Sequence, residues 1–570
     1  GVGSHYTDRS DDNTRKLQRE YGKQVWFSEG SSPMSYAQGV YRLDGNGSGL
    51  SGLNGTLDIA NRIITMYPGG GMTRYEFQPA VASYYDGVTY CQKQLILASE
   101  PWSGYYMLDS GFYMALHFSR FIKNGWAFVE SACAGDGKAG GDGHSIVDAV
   151  YSYMTCTDTD TGDYSTVITN STYTFRVSGT PKAGCPVNVW ETRGASGGVW
   201  NAGYLKLRET LTPENNSFTV TVQPYSLVTV TTLAGTERGE FREYSSELLE
   251  LPYYDDFGYD DEYLAARGGA PRYTTDEGGA FEVVTLEDGG KALMQKITDR
   301  THAVEWGWTP SPVTNFGDDR WYSYSVSADV KFGECDSLSE CLAGVGLRYN
   351  LADDGASGWR LTLNKAGEWS LLLRDRAAAS GKVSIGGEWD RLKIEASDNT
   401  LRGYVNGECV AEITESGAMQ PAGRAALYSS YHLNCFRELR VEPVSGGDTY
   451  ITRLDITDES FGFAGDWTYN LMDSFRKYRR TSASGTAGAS FTMGFDGTGI
   501  LLLGAQKKGV VINTELDDIA ADSGYAVPEA SDRQAFYRVS GLPAGHHTLK
   551  VTVVEGTLVT DCAEVLGGRV

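Results

Sequence analysis

The sequence predicts a multidomain protein in which a stretch of alternating strands and helices is followed by three all-β units. Three observations carry this. The chain has 570 residues, more than one hydrophobic core organises. Its 70 glycines and 35 tyrosines suit β-structure with many tight turns. The hydrophobic pattern also changes along the chain: strand alternates with helix up to about residue 125, and period-2 or short apolar runs between turn residues follow.

In residues 1–125, "VGSHY" reads as a short strand. "DNTRKLQREYG" has helical composition and a glycine stop at Gly22. "QVWFSE" reads as a second strand, "FQPAVASYYDG" as a short helix, "KQLILASEPW" as a third strand and "SGFYMALHFSRFI" as a helix. Strand alternating with helix means a parallel sheet, and three strands of an eight-stranded barrel leave five to be supplied from elsewhere. Residues 126–237 carry "WAFVESAC", "YSTVIT", "TYTFRVSG", "VNVWET" and "SFTVTVQPYSLVTVTTL", the texture of an antiparallel sandwich. Residues 238–448 begin with a charged linker and continue as evenly spaced hairpins, the texture of a legume-lectin or laminin-G jelly roll. "PVSGGD" breaks the pattern, and residues 449–570 read as a further β-sandwich.

Composition removes several function classes. A net charge of −24 argues against nucleic acid and anionic membrane surfaces as partners. No apolar run approaches the roughly 20 residues that a membrane helix needs. Nine cysteines occur without a C-x-x-C pair, which speaks against a zinc site, and the odd number leaves at least one thiol free. Cys335 and Cys341 are spaced for a local bridge, which sequence does not settle. The chain starts without an initiator Met or a signal segment, inside what reads as a strand, so we expect a fragment of a longer, N-terminally extended protein.

The segment "VWFSEGSS" carries the chemistry. An apolar strand ends in Glu29, and small residues follow. An acid at the carboxyl end of a buried strand is costly without partners, and in a parallel barrel that end is where active sites sit. Strict alternation puts Val25, Phe27 and Glu29 on one face and Trp26 and Ser28 on the other, so Trp26 is expected in the core.

These residues resemble glycoside hydrolase family 59, the galactocerebrosidase family. "VGSHY" looks like that family's sixth barrel strand, "VWFSEGSS" like the seventh with its nucleophilic Glu, and "VASYYDGVTY" followed by "ASEPWSGYY" like the region of the eighth. The last motif is long and specific. The resemblance covers residues 1 to about 443; the final unit is similar, more weakly, to galactose-binding-like modules. It implies the C-terminal part of a (β/α)8 barrel at 1–125, then the sandwich, the lectin-like jelly roll and the carbohydrate-module-like sandwich. It also implies a retaining β-glycosidase, in which two carboxyls about 5–5.5 Å apart serve as nucleophile and acid/base. Glu29 corresponds to the nucleophile. His5, Tyr6, Ser32 and Tyr90 correspond to sugar-site positions. Glu100 and Trp102 share a strand face that reaches the same pocket, where the Trp would stack on a galactose ring.

Other readings stand beside these. His5 reads equally as a satisfied core histidine, Tyr90 as a loop aromatic, and Glu100 as a structural ion-pair partner. The resemblance implies no cofactor. It implies a terminal β-galactoside such as galactosylceramide as substrate, with a lipid-presenting carrier as partner, and an extracellular or, in a eukaryote, lysosomal location. Departures are also present. Residues 1–125 contain no Asn-Glu pair of the kind that carries the family's acid/base, so this chain alone is expected to be inactive. "MTCTDTDTGDYST" has Cys156 but no neighbouring Arg, and the family's pocket Trp falls near Phe77 or Gln78. Asp255 and Asp256 read as calcium ligands or as turn acids, and Arg437 and Glu438 stand where a further ligand acid would be expected. Adjacent His546 and His547 fall on opposite strand faces, which argues against a shared metal. Asn46, Asn54, Asn170 and Asn215 match glycosylation acceptors. Two alternatives remain: a glucosylceramidase- or xylosidase-like hydrolase of the same clan, and a non-catalytic carbohydrate-binding or adhesive protein.

Overall fold

The computed structural model describes residues 1–5, 12–33, 55–82, 94–108, 110–135, 152–169, 173–182, 184–193, 203–223, 226–235, 245–298, 311–350, 357–470, 473, 474 and 476–568. The chain forms two compact units: Gly1–Ser83 with Tyr90–Ser99 and Gly104–Tyr244, and Tyr84–Thr89 with Glu100–Ser103 and Ser245–Val570.

The first unit opens with β1 (Val2–His5), α1 (Asp12–Tyr21), β2 (Val25–Ser31), α2 (Thr56–Gly70) and β3 (Met72–Gln78). The three strands form a parallel sheet in the order β1-β2-β3. Gly22, at φ 60°, ends α1 as its composition predicts. α2 forms because Leu57, Ala60, Ile63, Ile64 and Met66 recur at helical spacing and are all buried. They pack with Val25 and Phe27 of β2 and with Met154, Cys156, Val167 and Leu227 from the following sandwich, so the α/β portion and the sandwich share one core. A small second sheet joins β4 (Val81–Ala82), β5 (Ile96–Glu100) and β6 (Tyr105–Leu108), and α3 (Ser110–Ser119) follows.

Three expectations are corrected here. The third parallel strand is β3, not the "KQLILASEPW" stretch, whose strand β5 pairs with β4 instead. Phe77–Ala82 is not helical: β3 runs through Gln78 and β4 takes Val81 and Ala82, with Pro79 between them removing the donor a helix would use. Of "WAFVESAC", only Ala127–Phe128 is a strand, and Glu130–Ala132 form a 3-10 turn.

The sandwich has a main antiparallel sheet ordered Lys206–Leu211, Val187–Arg193, Ser226–Thr231, Tyr164–Thr169, Ser152–Thr157 and Ala127–Phe128. The pair Thr174–Ser178 and Ser217–Thr221 supplies the second layer, and Val187, Val189, Val220, Val228 and Val230 fill the space between.

In the second unit an eight-stranded and a seven-stranded sheet enclose a core built on Val326, Val345, Leu361, Leu427 and Phe436. These two sheets form a β-sandwich, in keeping with the all-β unit expected there. The C-terminal sandwich runs from Ile451 to Leu566. The two are joined by a buried cluster of Tyr322, Ala422, Ile451, Leu501, Leu503 and Ala535, and by paired backbone bonds of 2.9 Å between Met419 and Ala535. Arg453 lies in this joint between Asp319 and Glu564, at 2.5 and 2.9 Å. All eight described cysteines are free thiols, Cys335 and Cys341 included.

Candidate active site

Glu29 sits near the carboxyl end of β2, half-buried, with His5 of β1 as its cross-strand backbone partner. Its placement depends on a bulge. Ser4 pairs with Phe27 but His5 with Glu29, and Phe27 pairs with Tyr75 but Gly30 with Phe77. Between Phe27 and Gly30, β2 therefore carries one extra residue against both neighbours, whereas between Val25 and Phe27 the extra residue is in β3, and strict alternation fails between Phe27 and Glu29. Val25 and Phe27 are buried in the shared core. Trp26, expected in the core, is not there: it is only partly buried, and the Arg74 guanidinium stands over its ring at 5.2 Å.

Two small residues after the acid have defined work. Gly30 lies under the Tyr75 ring, where a Cβ would come within 2.2 Å of Tyr75 Cζ. Tyr75 in turn stacks on Phe27 at 5.0 Å. Ser32 is fully buried; its N–H donates to Gln78 O at 3.2 Å and its hydroxyl to Pro79 O at 2.6 Å. Ser32 thus fastens the exit of β2 to the end of β3. A glycine directly after a strand-end acid was the available signal for the close approach at Gly30.

Glu100 and Trp102 belong to the second compact unit. Glu100 accepts from Ser246 Oγ at 2.6 Å, from Glu247 N–H at 3.1 Å and from Ser103 Oγ at 3.1 Å, with Arg320 at 3.6 Å. Trp102 Nε1 donates to Glu247 O at 2.7 Å, and its ring meets Tyr273 edge-on at 6.0 Å. The polar atoms of both residues are engaged by the linker. The side chain of His5, and Tyr6 and Tyr90 entirely, lie outside the described residues, as do Asn46, Asn54 and Asn170.

Within the first unit a cavity of about 1020 Å³ is lined by Trp26, Tyr75, Phe77, Phe118 and Trp126, among others. Cys156 also borders it, and burial pushes its thiol up to about 12, so it stays protonated and inert. In "TDTDTGD", Asp158 accepts from the N–H groups of Asp160 and Thr161, which makes the segment a self-capped turn.

No group of three His, Cys, Asp or Glu side chains suited to a metal occurs among the described residues. Asp255 is buried and takes hydrogen bonds from Tyr253, Tyr259 and the Phe257 N–H, while Asp256 accepts from Gly258 N–H. His546 and His547 bond to different acids, Asp496 and Asp517.

Comparison with known proteins bears on the same residues. Residues 1–120 match the family model described as "Glycosyl hydrolase family 59". The galactocerebrosidase of Homo sapiens is 26% identical over 433 residues, covering 71% of this chain and 58% of that one. The galactocerebrosidase of Macaca mulatta is 26% identical over 361 residues, covering 60% of this chain and 48% of that one. The chain thus spans about half to three-fifths of the length of these relatives. Among solved structures, a GH30 endoxylanase from Clostridium papyrosolvens matches at a TM-score of 0.26 with 14% identity, over 40% of this chain and 48% of that one. The carbohydrate-binding module CBM66 from Bacillus subtilis matches at 0.23 with 14% identity, over 30% and 94%.

Proposed function

We propose that this chain, whose residues 1–120 match the glycosyl hydrolase family 59 model, is part of a retaining β-glycosidase with Glu29 as nucleophile. The observation that carries this is the position of Glu29: near the carboxyl end of a parallel strand, beyond a bulge that breaks the face alternation set by Val25 and Phe27. Glu29 attacks the anomeric carbon and displaces the leaving oxygen, forming a covalent glycosyl-enzyme. A second carboxylic acid protonates that oxygen and then, as a base, activates the water that releases the sugar. We place that acid in a segment outside these 570 residues, because residues 1–125 hold no Asn-Glu pair. Displacement by two carboxyls needs no cofactor.

The substrate we favour is a terminal β-galactoside, in keeping with the galactocerebrosidase relatives. A glycolipid such as galactosylceramide, with a carrier to present it, and an extracellular or lysosomal location belong to the same proposal. No helix among the described residues is long and apolar enough to cross a membrane. The deciding experiment expresses the chain together with its upstream coding sequence and treats it with a 2-deoxy-2-fluoro-β-galactosyl inactivator. A mass label on the peptide carrying Glu29 is the expected result. A label only from the glucosyl or xylosyl reagent keeps the mechanism and replaces the sugar. No label from any reagent overturns the glycosidase reading in favour of a binding protein.

A further inference from the structure

The larger sandwich of the second unit brings two thiols together in the loop between the strands Tyr324–Lys331 and Leu342–Tyr349. Cys341 is fully buried at the end of that loop, and Cys335 is half-buried within it. The two side chains are hydrogen-bonded to each other. The base of the loop is closed by other groups. Gly333 N–H donates to Asn434 Oδ1 at 3.0 Å, and Lys365 Nζ donates to Gly333 O at 2.9 Å. Asn434 is itself fully buried, and its amide donates to Leu342 O at 2.8 Å and Ser429 Oγ at 3.0 Å. Within the loop, Glu340 N–H donates to Ser337 O at 3.1 Å. The folded backbone therefore holds the sulfurs near each other.

The surroundings favour joining them. The Cys341 thiol donates to Asn434 Oδ1 at 3.3 Å, with Gly333 O at 3.8 Å. Both acceptors have a second donor, the Gly333 N–H and Lys365 Nζ, so removing the thiol proton orphans neither. Burial pushes the Cys341 thiol up to about 12, so it stays protonated and does not start an exchange. Cys335 is the more accessible of the two and meets an oxidant first. We propose that Cys335 and Cys341 are a thiol pair that closes into a reversible disulfide, with a small disulfide such as oxidised glutathione as the oxidant. Cys335, as thiolate, attacks one sulfur of the oxidant and expels a glutathione thiolate, leaving a mixed disulfide. Cys341 then gives up its proton to solvent and attacks Cys335 Sγ, expelling the second glutathione thiolate. The chain loses two electrons and two protons, and one oxidant disulfide becomes two thiols. The new bond locks a surface loop that exposes Glu334, Asp336, Leu338 and Glu340. It forms whether or not Glu29 reacts with a glycoside.

The test holds the folded 570-residue chain at a series of ratios of reduced to oxidised glutathione, quenches in acid, alkylates the remaining thiols and digests with trypsin. Both cysteines fall in one tryptic peptide, Phe332–Arg348, because no Lys or Arg lies between its ends. That peptide should pass from two alkyl groups to none, lighter by two hydrogens than the dithiol. Half-conversion should come at a glutathione equilibrium ratio about tenfold more reducing than for the same chain unfolded in urea, where the thiols meet only by chance. Cys409, an exposed thiol, reports simple glutathione uptake in the same digest. In Cys341→Ser, Cys335 should stop at the glutathione adduct. Should that variant fail to fold, Cys335→Ser, at the half-buried position, should leave Cys341 without glutathione at every ratio. Two alkyl groups on the peptide at every ratio overturn the proposal. So do a glutathione adduct on Cys335 that the unsubstituted chain never resolves, a link to the peptide carrying Cys435, and conversion no easier in the folded chain than in urea.

Discussion

His117, in the first unit, and His547, in the second, are each hydrogen-bonded at both ring nitrogens, yet their surroundings ask for opposite charges. His117 lies on α3, fully buried, with Nδ1 2.8 Å from Thr229 Oγ1 and Nε2 2.7 Å from Thr192 Oγ1. A hydroxyl donates or accepts, so a neutral ring with one N–H satisfies both threonines. Burial then pushes the imidazole down to about 3. His547 has Nδ1 2.8 Å from Asp517 Oδ2 and Nε2 2.8 Å from Pro543 O. Both partners only accept, so the ring must donate twice, which only the imidazolium does. Its pKa is raised, first by the Pro543 carbonyl and then by Asp517. The number of contacts at a histidine therefore says little about its charge; what matters is whether the partners can donate.

The same logic gives the largest expected effect at Arg453. Its guanidinium is the donor for two acceptors in the joint of the second unit, Asp319 and the fully buried Glu564. Arg453→Met leaves Glu564 in the interior without its cation, which costs about 3–5 kcal/mol. Urea unfolding of the chain at neutral pH measures this, and adding Glu564→Gln should return part of the loss. A single-variant cost near zero would mean that acceptors in this interior do not need a charged donor, and the contrast between the histidines would lose its basis.

Acid produces the next effect, in the first unit. The folded pKa of His117 lies below the unfolded value, so the unfolded chain binds the extra proton. Stability is full above about 6.5 and falls by about 1.4 kcal/mol for each pH unit below it, or roughly 3 kcal/mol by pH 4.5. Hydrogen exchange followed by mass spectrometry on peptides from residues 110–119, 187–193 and 226–231 reads this locally. His117→Gln should flatten the slope. In the second unit Glu277, whose carboxyl burial raises to about 7, works the other way: its contribution is full below the unfolded carboxylate range and is lost as pH rises through about 7.

These groups show where sequence reading runs out. The order of the β-units was legible because hairpin spacing and alternation are local. α1 and α3 were legible from composition and from the stop at Gly22. α2 was not: Ile59, Ile63, Ile64 and Thr65 are β-branched, Pro68 and the glycines after it read as a loop, and the burial that makes the helix comes from the sandwich. β3 was missed because Thr73 and Arg74 are both exposed near its start, which spoils a period-2 pattern. At the site, Glu29 was legible as a strand-end acid. The bulge was not, since it exists only as a mismatch with β1 and β3; Trp26 lies outside the core because Val25 and Phe27, on the opposite strand face, are the residues that pack against α2. The contacts of Glu100 and Trp102 with residues 246 and 247 join positions more than 140 apart in the chain, a distance that no local pattern spans.

The smallest expected effect lies at Asp517. Its side chain is 47% exposed, so water and salt screen its attraction for His547. Asp517→Asn removes the charge and leaves one carbonyl oxygen for the two donors that the carboxylate serves, His547 Nδ1 and the Thr548 N–H. If the Pro543 carbonyl governs His547, its titration midpoint falls only part of the way toward the ordinary histidine value, because that carbonyl still favours the protonated ring. If the charge of Asp517 governs it, the midpoint drops to the ordinary value or below. NMR titration of the histidine ring protons in the variant separates these outcomes. The stability that His547 contributes should follow its midpoint: full below the unfolded value near 6.5 and lost as pH rises through the folded one. A midpoint unchanged by the substitution would assign the whole shift to a backbone carbonyl, and partner type alone, without formal charge, would then account for the difference between the two histidines.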